Sequence, residues 1–316
     1  MTQRLAIVFP GQGSQFKGMF SPWREHATFR AVLQQASDAV GTDLWRLAQS
    51  GSAEQLNDTR LTQPLMVAAG LALWHAWCAA GGPPPQMAAG HSVGEITALA
   101  AAQVFGVETA VKLVSARAAA MAQAVPRGTA GMAAVLGLDD AAVQRLCLAC
   151  AQNEVLEPVN YNAPGQVVVA GHLEAIERLK RAAREAGAKM VFVLQVSGPF
   201  HSSLMASAAQ VLARTLAPLM LAEPQFGVLH NCDLSRASAA SIKPALVLHL
   251  TRPVNWLGTI QAFAGAGITH VVELGPGEVL SNLCKRIAPQ LVALAANSPA
   301  TLAQARHAVM NETLES

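Results

Sequence analysis

A serine set between two glycines, Gly90-His91-Ser92-Val93-Gly94, has the clearest chemical content of any segment in this sequence. It follows a short apolar run, Met87-Ala88-Ala89, and precedes a helical stretch from Glu95 to Ala102. A G-x-S-x-G between strand and helix is the setting of a nucleophile elbow. The glycines permit a crowded turn that pushes the serine hydroxyl outward. The N–H of Val93 and the positive end of the following helix then face a developing oxyanion. Without that setting, the same five residues are only a tight glycine turn.

A serine nucleophile needs a base. Nine histidines are available: His26, His75, His91, His172, His201, His230, His249, His270 and His307. His201 stands out, because Pro199-Phe200-His201-Ser202-Ser203 falls where the chain leaves one folded unit and re-enters another, and such junction loops supply site residues. A satisfied structural histidine is the competing reading. His91 adjoins the serine, but neighbours on a tight turn point apart.

Arg117 lies on the apolar stripe Leu113, Val114, Arg117, Met121 of a helix. An unpaired charge there is costly, so it either pairs with an internal acid or faces a pocket for an anionic group, which a two-pronged guanidinium suits. After the first strand, Phe9-Pro10-Gly11-Gln12-Gly13-Ser14-Gln15 lacks the third glycine of a dinucleotide fingerprint and the Gly-Lys-Ser of a phosphate loop. Gln12, flanked by glycines, still has the freedom to aim its backbone N–H or its side-chain amide into a site. Gly275-Pro276-Gly277-Glu278 also fails the dinucleotide pattern. Cys147-Leu148-Ala149-Cys150 is a single C-x-x-C within a helical stretch, a poor zinc or redox site. Arg178, Lys180, Arg181, Arg184 and Lys189 form either a solvated basic face or a contact for CoA phosphates or an acidic carrier protein.

The elements that must position these residues follow from composition and pattern. Of 316 residues, 52% are hydrophobic and 13% charged, which allows a large core and excludes general disorder. A formal net charge of +2 argues against a nucleic-acid binder with a broad basic surface. Five cysteines do not form a secreted disulfide framework, and the apolar run near Met1 is too short for a signal peptide, so a cytoplasmic location is expected. Leu61 to Gly94 carries no charge, but Gln63-Pro64, His75 and a Gly-Pro run interrupt it. A buried helix over about Pro64–Ala80 is expected, with no membrane span.

Strands at Leu5–Phe9, Met87–Gly90 and His270–Leu274 alternate with helices, the pattern of an α/β protein with a mainly parallel sheet. Between them lies a different order. Strands are expected at Met132–Leu138, Val155–Val159, Gln166–Ala170 and Met190–Val196, with helices at Asp139–Ala151 and Leu173–Ala186 and a turn at Asn162-Ala163-Pro164-Gly165. This β-α-β-β-α-β run is ferredoxin-like. The expected division is a large catalytic domain, 1–127 and 198–316, with a subdomain inserted at 128–197.

Nearly the whole chain, in order, resembles the malonyl-CoA:acyl-carrier-protein transacylase family, the loading enzymes of bacterial fatty acid synthesis. The matching segments are FPGQGSQ (9–15), TQPLM (62–66), GHSVGE (90–95), SARAAAM (115–121), GMAAVLGL (131–138), NYNAPGQVVVAG (160–171), VSGPFHSSLM (196–205), RPVNW (252–256) and ELGPGEVL (273–280). The resemblance implies a hydrolase-like α/β domain with an inserted ferredoxin-like subdomain. It implies Ser92 as nucleophile, His201 as base, Arg117 as the clamp for the malonyl carboxylate, and Gln12 with Val93 as oxyanion hole. Phe200 and Asn162 are expected at the substrate. The histidine-orienting backbone carbonyl falls at His249, where the family often has glutamine; a main-chain role tolerates the change. Ile96 replaces the aromatic residue common after GHSxGE. Malonyl-CoA and acyl carrier protein are the implied partners. Thioester exchange calls for no metal or other cofactor. A polyketide-synthase acyltransferase would share every residue named. A serine esterase and a non-catalytic carrier-binding scaffold are the remaining alternatives.

Overall fold

The computed structural model describes residues 4–315. Among the described residues ten strands are present: β1 Leu5–Phe9, β2 Met87–Gly90, β3 Ala130–Leu136, β4 Leu156–Ala163, β5 Gln166–His172, β6 Met190–Val193, β7 Gly227–Val228, β8 Val254–Asn255, β9 His270–Glu273 and β10 Val292–Ala295. They form two five-stranded sheets.

The first sheet runs β10-β9-β1-β2-β7 and every pairing in it is parallel. Its central strand, Leu-Ala-Ile-Val-Phe, is buried throughout, as a strand covered on both faces must be. Its side chains divide by the two-residue period of a strand. Leu5, Ile7 and Phe9 join the core beneath the helices Ala27–Val40, Thr59–Ala79 and Val107–Gln123, while Ala6 and Val8 join that beneath Trp256–Gly265 and Val279–Ile287.

The second sheet runs β6-β3-β5-β4-β8. Four of its strands, with the helices Asp140–Ala151 and Leu173–Glu185, make the expected β-α-β-β-α-β order. Alternation again divides the faces. Ala133, Val135, Val167 and Val169 pack on those two helices, whereas Met132, Ala134, Val168 and Ala170 pack on the main core. The second sheet is thereby pressed against the first unit, and a cleft forms at their junction.

Several boundaries differ from the sequence reading. The strand expected over Val155–Val159 runs on to Ala163, so Asn162 sits in β4 and the turn is Pro164-Gly165, with Gly165 at φ 69°. The strand expected over Met190–Val196 ends at Val193, leaving Leu194 to Phe200 free to line the cleft. The fifth strand of the second sheet, β8, comes from beyond the 128–197 segment and pairs parallel with β4. The helix expected over about Pro64–Ala80 begins earlier, at Thr59, and takes in Arg60, because Asp58 caps it by accepting the N–H of Arg60. Its buried apolar side chains face protein. Among the described residues no helix is long and apolar enough to cross a membrane.

Two glycines are required where the sheet meets the elbow. A Cβ on Gly90 would lie 1.9 Å from the carbonyl carbon of Gly94, and one on Gly94 would lie 2.2 Å from the carbonyl oxygen of Phe9. Backbone cannot yield as a side-chain tip can. Gly90→Ala is therefore expected to destabilise the fold by about 3 kcal/mol in urea unfolding, the upper range for overpacking. Gly265→Ala, in a helix with open space around its Cβ position, is expected to be neutral or stabilising by up to about 1 kcal/mol. Equal effects of the two changes would contradict this account of the elbow.

Candidate active site

Ser92 leaves β2 with φ 53°, in the left-handed region that a residue other than glycine occupies only when its surroundings hold it there. Three hydrogen bonds do so. The N–H of His91 donates to the carbonyl of Phe9 at 2.9 Å. The N–H of Ser92 donates to Oδ1 of Asn231 at 2.9 Å, and Nδ2 of Asn231 donates to the carbonyl of Gly90 at 2.7 Å. Asn231 therefore clips the turn from both sides. Sequence reasoning missed it, since nothing in Leu229-His230-Asn231 signals a contact 139 residues away.

His201 also has a left-handed backbone, φ 64°, which turns its ring back toward the elbow. Its Nε2 is 2.7 Å from Ser92 Oγ, and its Nδ1 is 2.8 Å from the backbone oxygen of His249. A carbonyl only accepts, so Nδ1 carries the proton and Nε2 presents its lone pair to the serine hydroxyl. That tautomer can take the hydroxyl proton. Burial, together with the positive charge of Arg117, pushes His201 down to about 3, and its bond to His249 offsets only part of this. The imidazole is thus neutral at physiological pH. His91 makes no such contact; its Nε2 lies 2.9 Å from Oδ1 of Asn162.

Beneath this pair sits Glu95, fully buried in the first turn of the helix Gly94–Ala101. Its carboxylate accepts from Nδ1 of His230 at 2.7 Å and from the N–H of Asn231 at 3.1 Å, and lies 3.3 Å from Nδ1 of His249. Burial and neighbouring positive groups hold His249 well below the ordinary histidine range. The side chain of His249, whose carbonyl accepts from His201, thus lies beside the Glu95 carboxylate.

Ser92 and His201 open onto a cavity of about 150 Å³, smaller than the roughly 300–1,000 Å³ typical of drug-sized ligands. Arg117, Gln12, Val93, Phe200 and Asn162 all line it, with Met132, Val168 and Leu194 of the second unit closing it by apolar surface. The sequence-derived site residues are therefore brought together, and His249 stands directly behind them. Arg117 is 2% exposed. It has no hydrogen-bonded acid. One guanidinium nitrogen, Nη1, donates to Oε1 of Gln63, and the other, Nη2, is buried without a hydrogen-bond partner. Burial lowers Arg117 to about 10, with Glu95 opposing the shift, so it stays charged at neutral pH. A charged donor with no acceptor, aimed into a small cavity beside a serine–histidine pair, can hold a short acyl group that ends in an anion.

The other candidates lie elsewhere. Cys147 and Cys150 are buried on one helix, and burial pushes the Cys147 thiol up to about 12. Among the described residues no group of three metal-ligating side chains is present. In the basic cluster, Arg178 binds the carbonyls of Cys150 and Ala151 and pairs with Glu154, and Lys180 pairs with Glu177.

Residues 6–286 match the acyl transferase domain family. The chain is 46% identical to the malonyl CoA-acyl carrier protein transacylase of Salmonella typhimurium over 96% of this chain and 99% of that one. It superposes on the malonyl CoA-acyl carrier protein transacylase of Coxiella burnetii with a TM-score of 0.96 at 39% identity, covering 98% of each chain. It also matches a malonyl-transacylase solved in complex with a type II polyketide synthase acyl-carrier protein, with a TM-score of 0.94 at 42% identity, covering 96% of this chain and 99% of that one.

The state of His201 yields a pH prediction. Its depressed value means that acid must reach far below the ordinary histidine range before Nε2 is protonated. The rate at which a fluorophosphonate labels Ser92 is expected to stay flat from about pH 8 to about pH 5, whereas an unperturbed histidine would halve it near pH 6.5. In Arg117→Ala, with the neighbouring charge gone, the acid limb is expected to move upward. A wild-type limb near pH 6.5 would show that His201 is not the buried neutral base described.

Proposed function

The chain belongs to the malonyl CoA-acyl carrier protein transacylases of the acyl transferase family, and on that premise we propose that it moves a malonyl group from malonyl-CoA to the pantetheine thiol of an acyl carrier protein, supplying fatty acid synthesis. One observation carries the substrate reading: Nη2 of Arg117, charged, buried and unpartnered, shares a small cavity with the Ser92–His201 pair. A malonyl carboxylate supplies the missing acceptor. An acetyl group leaves the charge unpaired, a penalty that can discriminate by roughly 10⁴-fold.

The mechanism follows from the bonds already described. His201 Nε2 takes the proton of Ser92 Oγ as the oxygen attacks the thioester carbonyl. The oxyanion develops opposite the N–H of Val93 and the Gln12 loop, where fixed dipoles need no reorganisation. The C–S bond breaks, His201 returns the proton to the CoA sulfur, and a malonyl ester remains on Ser92. The carrier's thiol then gives its proton to His201 and attacks the ester; Ser92 leaves and is reprotonated. Apolar walls from Met132, Val168 and Leu194 keep water from the ester. One thioester is exchanged for another, so the transfer consumes no other energy source. Phe200, the middle residue of Pro199-Phe200-His201, narrows the cavity beside the base.

A polyketide carrier is the second reading, supported by the likeness to the transacylase bound to such a carrier. The same residues serve either, because the carrier's body stays outside the cavity. Parallel assays with a fatty-acid and a polyketide carrier protein separate the two.

Intact mass after mixing with malonyl-CoA is expected to rise by one malonyl unit on the Ser92 peptide, and to fall back when a pantetheinylated carrier is added. Ser92→Ala is expected to stay unlabelled, and His201→Ala to load about 10²–10⁴-fold more slowly. In Arg117→Ala the malonyl-over-acetyl preference in kcat/KM is expected to collapse while acetyl transfer holds or rises. Label on another residue, or free malonate released as fast as carrier is loaded, would replace this reading with a hydrolase or a different nucleophile.

A further inference from the structure

Arg117 does more than face the cavity. Its Nη1 donates to Oε1 of Gln63; Nε2 of Gln63 donates to Oγ1 of Thr59 at 2.7 Å; and Oγ1 of Thr59 donates to Oε1 of Gln12 at 2.9 Å. Thr59 and Gln63 are one turn apart on the helix Thr59–Ala79, so they share a face and bridge two otherwise separate segments. Thr59 is fully buried and Gln63 and Arg117 almost so, so a lost partner is costly to replace.

We propose that Gln63 and Thr59 are positioning residues forming a one-directional hydrogen-bond relay, which ties the charged clamp at Arg117 to the oxyanion loop at Gln12. The inference rests on the transacylase reading, and its direction comes from chemistry. A guanidinium only donates. Gln63 must therefore turn its oxygen to Arg117 and its nitrogen to Thr59. Thr59, having received that N–H, sends its own hydroxyl proton onward. Gln12 must then present its oxygen to Thr59, which keeps that oxygen away from the site of negative charge and leaves its nitrogen as the outward group. The tether also fixes the loop that carries the Gln12 backbone. With the relay broken, the Gln12 amide is free to flip, and an amide oxygen facing an oxyanion repels it. Acid recognition and oxyanion stabilisation are thus mechanically joined through Gln63, at the cavity wall, and Thr59 behind it.

The test compares Thr59→Val, which keeps the shape and removes the hydroxyl, with Thr59→Ser, which restores it. Two rates are read in each protein: acylation of Ser92 by malonyl-CoA, and labelling of Ser92 by a fluorophosphonate, whose P=O occupies the oxyanion position without needing the carboxylate clamp. Thr59→Val is expected to lower both rates about 10-fold, less than the roughly 10²–10³-fold for deleting an oxyanion donor outright. The effect is expected in kcat, with KM for malonyl-CoA changed less than about 2-fold, and Thr59→Ser is expected to recover most of the loss. In an Arg117→Ala background, where the relay has lost its anchor, Thr59→Val is expected to cost markedly less than in wild type. Unchanged rates in Thr59→Val, or equal losses in Thr59→Val and Thr59→Ser, would overturn the relay. If wild type labels with fluorophosphonate but is never malonylated, the transacylase reading fails, while the fluorophosphonate series still decides the relay.

Discussion

A carboxylate with no access to water must find donors inside the protein, and the way Glu95 does so organises the site around it. Its three partners are His230, the backbone of Asn231 and the His249 side chain. Through Asn231 it is coupled to the turn that carries Ser92. Through His249 it is coupled to the carbonyl that fixes the tautomer of His201. Ser92 and His201 come from segments 109 residues apart, yet both are referred to one buried carboxylate on the helix that follows the elbow. An uncompensated charge at that depth costs several kcal/mol, so the partners are held as firmly as the carboxylate itself.

The elbow adds a geometric constraint. Gly90, Gly94 and the Phe9 carbonyl approach so closely that no side chain fits, and the strained φ of Ser92 is the consequence. Strain of this kind persists only where the surroundings over-determine it. Two parallel strands, one helix and the Asn231 clip together do that. The cavity above then needs only a lid, which the second sheet provides with the face that alternation turns inward.

What was legible in the sequence was local. The G-x-S-x-G setting, the alternation of strands and helices, the β-α-β-β-α-β order and an arginine on an apolar stripe are each written within a few to a few dozen residues, and each corresponds to an observed element. His201 was legible only as a junction residue until the resemblance singled it out. What was not legible is long-range. Asn231, Glu95, Gln63 and Thr59 act through contacts spanning 47 to 139 residues, and their types are ordinary for turns and helix starts. Strand ends were misjudged where pairing partners decide them: β4 extends because β5 and β8 flank it on both sides, and β6 stops where its pairing with β3 ends.

Selective malonyl transfer at this site requires that the acyl carbonyl and the acid group of one substrate be held at the same time, by the elbow and by Arg117. A crystal structure of the protein after soaking with malonyl-CoA tests it most directly. The expected density is an ester on Ser92 Oγ with its carbonyl oxygen toward the N–H of Val93 and its carboxylate against Nη2 of Arg117. An acyl group on another side chain, or a carboxylate turned to solvent with Nη2 still unpartnered, would contradict it.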